Sequence, residues 1–292
     1  MTLRFAYNTN GAANHRLDDA IELIAEAGYD GVALTLDIHH LDPFAEEWAR
    51  EAERVASRLE RLGLGSVIET GARFLLDPKH KHEPTLVTAD ATARARRVGF
   101  LKRAIDIGGI LKSEAVSFWA GVPKPGVDPD AARVWLREGL SEVAAYAAER
   151  GVVPCLEPEP GMLVETLDDY AALDVPGLRL ALDTGHCLVT GEREPAAAVA
   201  EFADRIGTVA IEDMARGIHV HLPFGEGDMD VPGVLEALEA IHFDKLICVE
   251  LSRESHRADV MIPQALAHLR DCRRGGPDLP HLDTTLRETP VR

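Results

Sequence analysis

Residues 152–183 read VVPCLEPEPGMLVETLDDYAALDVPGLRLALD. The apolar runs 152–159 and 178–183 have the length and composition of buried β-strands. Residues 165–173 between them have the spacing of a helix. A strand, a helix and a second strand in this order are typical of a parallel β-α-β unit.

The same alternation repeats along the whole chain. Strands are predicted at 4–9, 31–37, 65–70, 114–120, 152–159, 178–183, 206–213 and 246–251, and helices at 17–28, 43–63, 93–108, 129–151, 165–173, 194–205, 231–241 and 257–272. Eight repeats in 292 residues predict an α/β protein with a single (β/α)8 TIM barrel. The predicted barrel spans 1–273, and the Pro- and Gly-rich residues 274–292 are predicted to be a flexible tail. A doubly wound open sheet is the alternative, but no GxGxxG follows the first strand.

Composition excludes several classes of partner. The net charge of −18 opposes binding to the phosphate backbone of a nucleic acid. No apolar stretch reaches the roughly 18 residues that a membrane helix requires. The four cysteines form no CxxC pair, which favours reduced thiols and a cytoplasmic location. We therefore expect no membrane partner, no nucleic acid partner and no nucleotide cofactor.

Acidic residues follow several of the predicted strands. Glu157, Asp183 and Glu250 each come directly after an apolar run, and His186 lies three residues after Asp183. Because a TIM barrel gathers its functional groups at the carboxyl ends of the strands, these side chains are expected to converge. A divalent cation would relieve the repulsion between the carboxylates. The alternative for any single acid is a cap on the next helix.

In these residues the sequence resembles the xylose-isomerase-like barrel superfamily, which includes sugar phosphate isomerases and epimerases, inosose-processing enzymes and endonuclease IV. The resemblance is carried by Glu157, by Asp183 and His186 of the DxxH motif, by the turn HLPFGEG at 221–227 and by Glu250. It implies a divalent metal held by Glu157, Asp183 and Glu250. It also implies that Glu157 and Glu250 exchange a substrate proton and that His186 binds a substrate oxygen. A homo-oligomer is expected by analogy only.

One position departs from the pattern of that superfamily. Its seventh strand usually ends with a metal-binding histidine, whereas this chain has Ala210 there. Three outcomes remain open: three carboxylates and water bind the metal, a neighbouring side chain substitutes, or metal binding is weak or lost. The first outcome favours Mn²⁺ or Mg²⁺ over Zn²⁺ or Co²⁺.

The segment after this strand offers a compensation. His219 and His221 lie two residues apart, so in an extended chain their side chains point the same way. Endonuclease-IV-like members use an Asp-x-His at this place with the DxxH histidine for a further metal, which makes His186, His219 and His221 candidate ligands. The alternative is that His221 binds substrate hydroxyl groups, or packs, without a metal.

Other candidates for substrate binding lie near predicted strand ends. The polar loop 71–92 contains Arg73 and His82, which are suited to phosphate, carboxylate or hydroxyl groups, although a solvated loop is the alternative. Trp119 is placed to stack on a sugar face or to pack in the core. Asn8 follows the first strand and is suited to a polyol.

These residues predict a metal-dependent isomerase or epimerase that acts on a sugar, sugar phosphate or cyclitol through an enediolate. The expected partner is therefore a small polyol or keto-sugar. A lyase or dehydratase using the same site is the nearest alternative. A binding protein on a barrel that has lost its activity is a second alternative, favoured by Ala210. A DNA-repair endonuclease fits the histidines but conflicts with the net charge.

Overall fold

The computed structural model describes residues 2–71 and 73–273, and its strands form one closed parallel barrel in the order β1 to β8. The ring closes where the first strand pairs with the eighth, with Tyr7 opposite Val249. The strands are β1 Arg4–Asn8, β2 Gly31–Thr35, β3 Gly65–Glu69, β4 Val116–Trp119, β5 Pro154–Glu157, β6 Arg179–Asp183, β7 Ile206–Ile211 and β8 Leu246–Val249. The prediction of a (β/α)8 barrel is confirmed, and the open sheet is excluded.

Helices follow the strands and cover the barrel. They are α1 Leu17–Ala27, α2 Trp48–Leu62, α3 Ala91–Leu111, α4 Pro129–Ala148, α5 Leu167–Ala171, α6 Thr184–Thr190, α7 Pro195–Glu201, α8 Val231–Ala240 and α9 Ala258–Arg273. Both α1 and α2 end at a glycine in the left-handed conformation, Gly28 and Gly63, as the sequence pattern predicts. Within residues 2–71 and 73–273, no helix is long and apolar enough to cross a lipid bilayer.

Two details of the predicted helices are wrong. The helix predicted from Pro43 begins at Trp48, because the Asp42 carboxylate accepts a hydrogen bond from the Phe44 backbone amide and holds a turn there. Helix α6, within the DxxH motif, was not predicted at all. The expected flexible tail, 274–292, lies outside the described residues.

The barrel interior is filled by small side chains. Eight buried residues form this inner layer, two of them from β8 and none from β7, and the others from the remaining strands or their immediate edges: Ala6, Ala33, Val67, Ala115, Cys155, Ala181, Leu246 and Cys248. The larger apolar cluster lies between the strands and the helices. Because the inner layer is closely packed, ligands have access only to the polar groups at the ends of the barrel.

Candidate functional site

A pocket of about 570 Å³ opens at the carboxyl ends of the strands. Nine of the predicted site residues line it: Asn8, Arg73, His82, Trp119, Glu157, His186, His219, His221 and Glu250. Asp183 lies directly beneath, in a smaller void that it shares with Ala210, Glu157 and Glu250. The structure therefore brings all ten predicted residues to one end of the barrel.

Carboxylates dominate the floor of this pocket. Glu157 ends β5, Asp183 ends β6 and Glu250 follows β8, as predicted. Glu69 at the end of β3 and Glu159 beyond β5 also line the pocket, although the sequence assigned neither a role. Burial raises the pKa of Glu157 well above its usual value, and repulsion from Glu159, Asp183 and Glu250 raises it further. Such mutual repulsion is relieved when a cation binds.

His186 is held in one tautomer by a backbone contact. Its Nδ1 lies 3.0 Å from the carbonyl oxygen of Pro158, so Nδ1 donates a proton to that oxygen. The other nitrogen, Nε2, faces Asp183 Oδ2 at 3.5 Å and Glu159 Oε2 at 3.8 Å. Metal-binding histidines typically donate their second nitrogen to a carbonyl or carboxylate in this way. The geometry of His186 is therefore that of a preorganised ligand.

The two histidines of the segment after β7 join this cluster. His219 Nε2 lies 3.1 Å from His186 Nε2 and 3.8 Å from Glu159 Oε1. Burial, and then the nearby His186, lower the pKa of His219 to about 4. His219 is therefore neutral at physiological pH, the state in which imidazole binds metals. The ring of His221 lies farther from His186, with 6.5 Å between centroids.

The position that lacks the usual histidine faces the carboxylates. Ala210 pairs in register with Asp183 on β6 and Cys248 on β8, and it lines the void between the acidic side chains. Two residues further on, Glu212 is fully buried, and within the described part of the chain neither of its oxygens accepts a hydrogen bond from a conventional donor.

Glu212 is packed against two of the predicted site residues. Burial, and then repulsion from Asp183 and Glu250, raise the pKa of Glu212 well above its usual value. Its Oε2 lies 4.0 Å from His221 Nδ1. A Cβ atom on Gly185 would overlap Glu212 Oε1, so a larger residue there would displace the Glu212 side chain. Glu212 therefore contacts both Asp183 and His221 from behind the pocket.

Among residues 2–71 and 73–273, two sets of side chains are close enough to hold a metal ion. In each set the three ligand atoms lie within 4.8 Å of one another: Glu157, Asp183 and His186 in one, and Glu159, His186 and His219 in the other. Glu250 belongs to neither set. Its Oε1 instead accepts a hydrogen bond from Asn10 Nδ2 at 2.8 Å. Asp183 Oδ2 is buried and accepts no hydrogen bond within the described residues, which supports the fit of a cation to the first set.

The predicted substrate-binding residues differ in whether their side chains are already engaged by contacts within the protein. The Asn8 side-chain oxygen already accepts hydrogen bonds from Asn10 N and Thr35 Oγ1. Trp119 is 7% exposed, with its ring edge-to-face with His82. Arg73 and His82 both line the wall formed by the loop after β3.

Comparison with known proteins identifies the family. The profile of the xylose isomerase-like TIM barrel family matches residues 21–272, and the chain belongs to this family. No curated protein sequence matches the chain significantly.

Solved structures share the fold at low sequence identity. An L-ribulose 3-epimerase is 22% identical with a TM-score of 0.73, covering 94% of this chain and 97% of its own. The IolI protein, solved with a zinc atom, is 17% identical with a TM-score of 0.74, covering 95% and 100%. The probable 3-DHS dehydratase AsbF from Bacillus anthracis is 14% identical with a TM-score of 0.71, covering 92% and 98%. At these identities the likeness establishes the fold alone.

Proposed function

We propose that the protein is a metal-dependent isomerase or epimerase of a small polyhydroxylated carbonyl compound, a sugar, sugar phosphate or cyclitol. The observation that carries this proposal is the convergence of Glu157, Asp183, His186 and Glu250 on one pocket. Membership of the xylose isomerase-like family and the fold shared with an epimerase support it.

Glu157, Asp183 and His186 would hold the cation, so that His186 supplies the nitrogen ligand that Ala210 cannot. Two carboxylates and one imidazole suit Mn²⁺, with Mg²⁺, Zn²⁺ and Co²⁺ as the ions to compare. A bound divalent cation supplies Lewis acidity, which polarises a carbonyl and acidifies the neighbouring C–H. Glu250 completes the ring of carboxylates around this place.

The protein's own groups then move the proton. Glu157 and Glu250 face the pocket from β5 and β8, and Asn10 orients the Glu250 carboxylate by donating to Oε1. One of these carboxylates removes the proton next to the carbonyl and the other returns it, with an enediolate between the two steps. The neutral His219 is placed to hydrogen-bond a substrate hydroxyl, and Trp119 presents an apolar surface to the sugar carbons.

Exchange of hydrogen with solvent tests this chemistry directly. The metal-loaded protein is incubated with candidate ketoses in D₂O, and deuterium at the α-carbon is followed by NMR. Glu250→Gln is expected to slow exchange by roughly 10²–10⁴-fold, the usual contribution of a general acid or base. Glu226→Gln, at an exposed acid outside the pocket, is the matched control. Unchanged exchange in Glu250→Gln would refute the assignment.

A lyase is the second candidate, because the same enediolate can expel a hydroxyl group and Glu159, whose pKa burial raises, lies beside His186 where it can protonate the departing group. Mass spectrometry of the products separates the two reactions, since a lyase releases water and an epimerase conserves mass. Ligand-induced stabilisation without exchange or water loss would instead indicate a binding protein.

A further inference from the structure

The wall of the pocket formed by the loop after β3 and the segment after β8 carries positive charge. Arg73, Lys81 and Arg253 all line the pocket. Among residues 2–71 and 73–273, none of these three side chains has an acidic partner or a hydrogen bond. In a chain with 49 acidic and 31 basic residues, unpaired cations around one pocket require an explanation.

A fourth cation lies behind the same wall. Arg97 is fully buried, and its guanidinium lies 4.3 Å above the ring of Trp119. Its Nη2 donates to the carbonyl oxygen of Thr70, whereas Nε and Nη1 have no partner in the described part of the chain. Burial lowers the pKa of Arg97 to about 9, so it stays charged at neutral pH. A buried cation with unpartnered donors is costly and raises the local positive potential.

Arg73, Lys81 and Arg97 act on one side chain, His82, whereas Arg253 acts on His219. His82 Nδ1 lies 2.8 Å from the carbonyl oxygen of Gly71, which fixes the ring against the wall. The pKa of His82 is lowered by burial and then by Lys81, Arg97 and Arg73. The positive potential at His82 is therefore the sum of several cations, whereas the carboxylates gather on the floor of the same pocket.

We infer that this wall, Arg73, Lys81, His82 and Arg253, binds a carboxylate or phosphate group, so that the substrate is an anionic sugar derivative and not a neutral sugar. The inference rests on the proposed function for the identity of the polyol portion, but the anion site itself needs no turnover. Guanidinium and ammonium groups bind such oxyanions through charge-assisted hydrogen bonds.

Three ligands that differ only at one carbon test the inference. D-fructose, D-fructuronate and D-fructose 6-phosphate carry a hydroxymethyl, a carboxylate and a phosphate ester there. Their affinities for the metal-loaded protein are measured by calorimetry at low salt, with inorganic phosphate as a competitor. Both anionic ligands are expected to bind at least about tenfold more tightly than D-fructose. The ratio between them distinguishes a carboxylate site from a phosphate site.

Charge-removing variants locate the effect. Arg73→Gln and Lys81→Gln are each expected to lower the affinity for the anionic ligands about tenfold and the affinity for D-fructose less than twofold. Lys79→Gln, on the same loop but outside the pocket, is the matched control. Within residues 2–71 and 73–273, these exposed or half-buried side chains form no ion pair or side-chain hydrogen bond, so the variants should fold normally.

The inference is wrong if wild-type protein binds the charged ligands no more tightly than D-fructose. It is also wrong if Lys79→Gln loses as much affinity for the anions as Arg73→Gln and Lys81→Gln do. Selective binding of the anions without hydrogen exchange leaves the inference intact and refutes the proposed reaction. Exchange of neutral ketoses without any preference for anions supports the proposed reaction and refutes the anion site.

Discussion

Replacing Ala210 by histidine should restore the ligand that the seventh strand lacks. Ala210 lies in register with Asp183, and its side chain faces the void between Glu157, Asp183 and Glu250. An imidazole at this position reaches the carboxylates and extends into the larger pocket above. The substitution Ala210→His therefore adds one nitrogen ligand to a site that the backbone already shapes.

The expected gain in metal affinity follows from the binding free energy that one additional ligand contributes. Structural zinc sites with four ligands bind with roughly 10–16 kcal/mol, or about 3 kcal/mol for each ligand. Ordering the new side chain costs about 1 kcal/mol. The net gain of about 2 kcal/mol corresponds to roughly 30-fold tighter binding.

Competition against a chromogenic chelator measures the affinities for Mn²⁺, Co²⁺ and Zn²⁺. Ala210→Gln is the control, since its side chain is of similar size but is a poor metal ligand. The largest gain should appear with Zn²⁺, which prefers imidazole. Unchanged affinity in Ala210→His, or the same gain in Ala210→Gln, refutes the placement of the metal at these carboxylates.

Three further predictions concern buried charge and close packing. Folding raises the pKa of the buried pocket acids, Glu212 among them, so the folded state binds more protons than the unfolded state and stability falls as pH rises. His219, whose pKa folding lowers, opposes this trend only below its ordinary value of 6.5. Burial raises the pKa of the Cys155 thiol to about 12, which adds to the loss of stability near pH 9, the ordinary value of a thiol. Tm of the metal-free protein should therefore fall from pH 6.5 to 9, and saturating Mn²⁺ should flatten the fall; a rising Tm contradicts this. Gly185→Ala should lose about 1–3 kcal/mol in urea unfolding, because the new methyl group overlaps Glu212, whereas Gly99→Ala, with open space around it, should not be destabilising. Arg97→Met should leave the free energy of unfolding within about 1 kcal/mol of wild type or raise it, because the buried guanidinium has unpartnered donors within the described residues. The same variant should bind anionic ligands less tightly. A loss of stability above about 3 kcal/mol would show that the buried guanidinium stabilises the fold.

Much of the fold was predictable because the strands are short, apolar and largely buried. The helix start at Pro43 was wrong because a turn capped by Asp42 competes with the helix. Helix α6 was missed because its seven residues, which include Gly185 and the DxxH histidine, carry too little helical pattern. Asp183 accepts a hydrogen bond from the His186 backbone amide, so the motif is at once a helix cap and a part of the candidate site.

The candidate site was predictable only at strand ends. Glu157, Asp183 and Glu250 could be placed because parallel strands finish at one edge of the barrel. Glu159 and Glu212 lie beyond that edge, where the direction of a side chain depends on the path of the loop. Glu212 was recognisable only as an acid two residues after Ala210, and nothing in its neighbours predicts complete burial.

The closed ring of strands also has a consequence for how the chain folds. The acidic side chains of the floor come from β3, β5, β6 and the residue after β8, which lie far apart in sequence. Their repulsion is weak in an extended chain, grows as the strands assemble and is complete once Glu250 joins the other acids. A cation that bridges the acids should therefore slow unfolding and favour barrel closure. Metal binding can thus serve as a spectroscopic marker of when the ring completes.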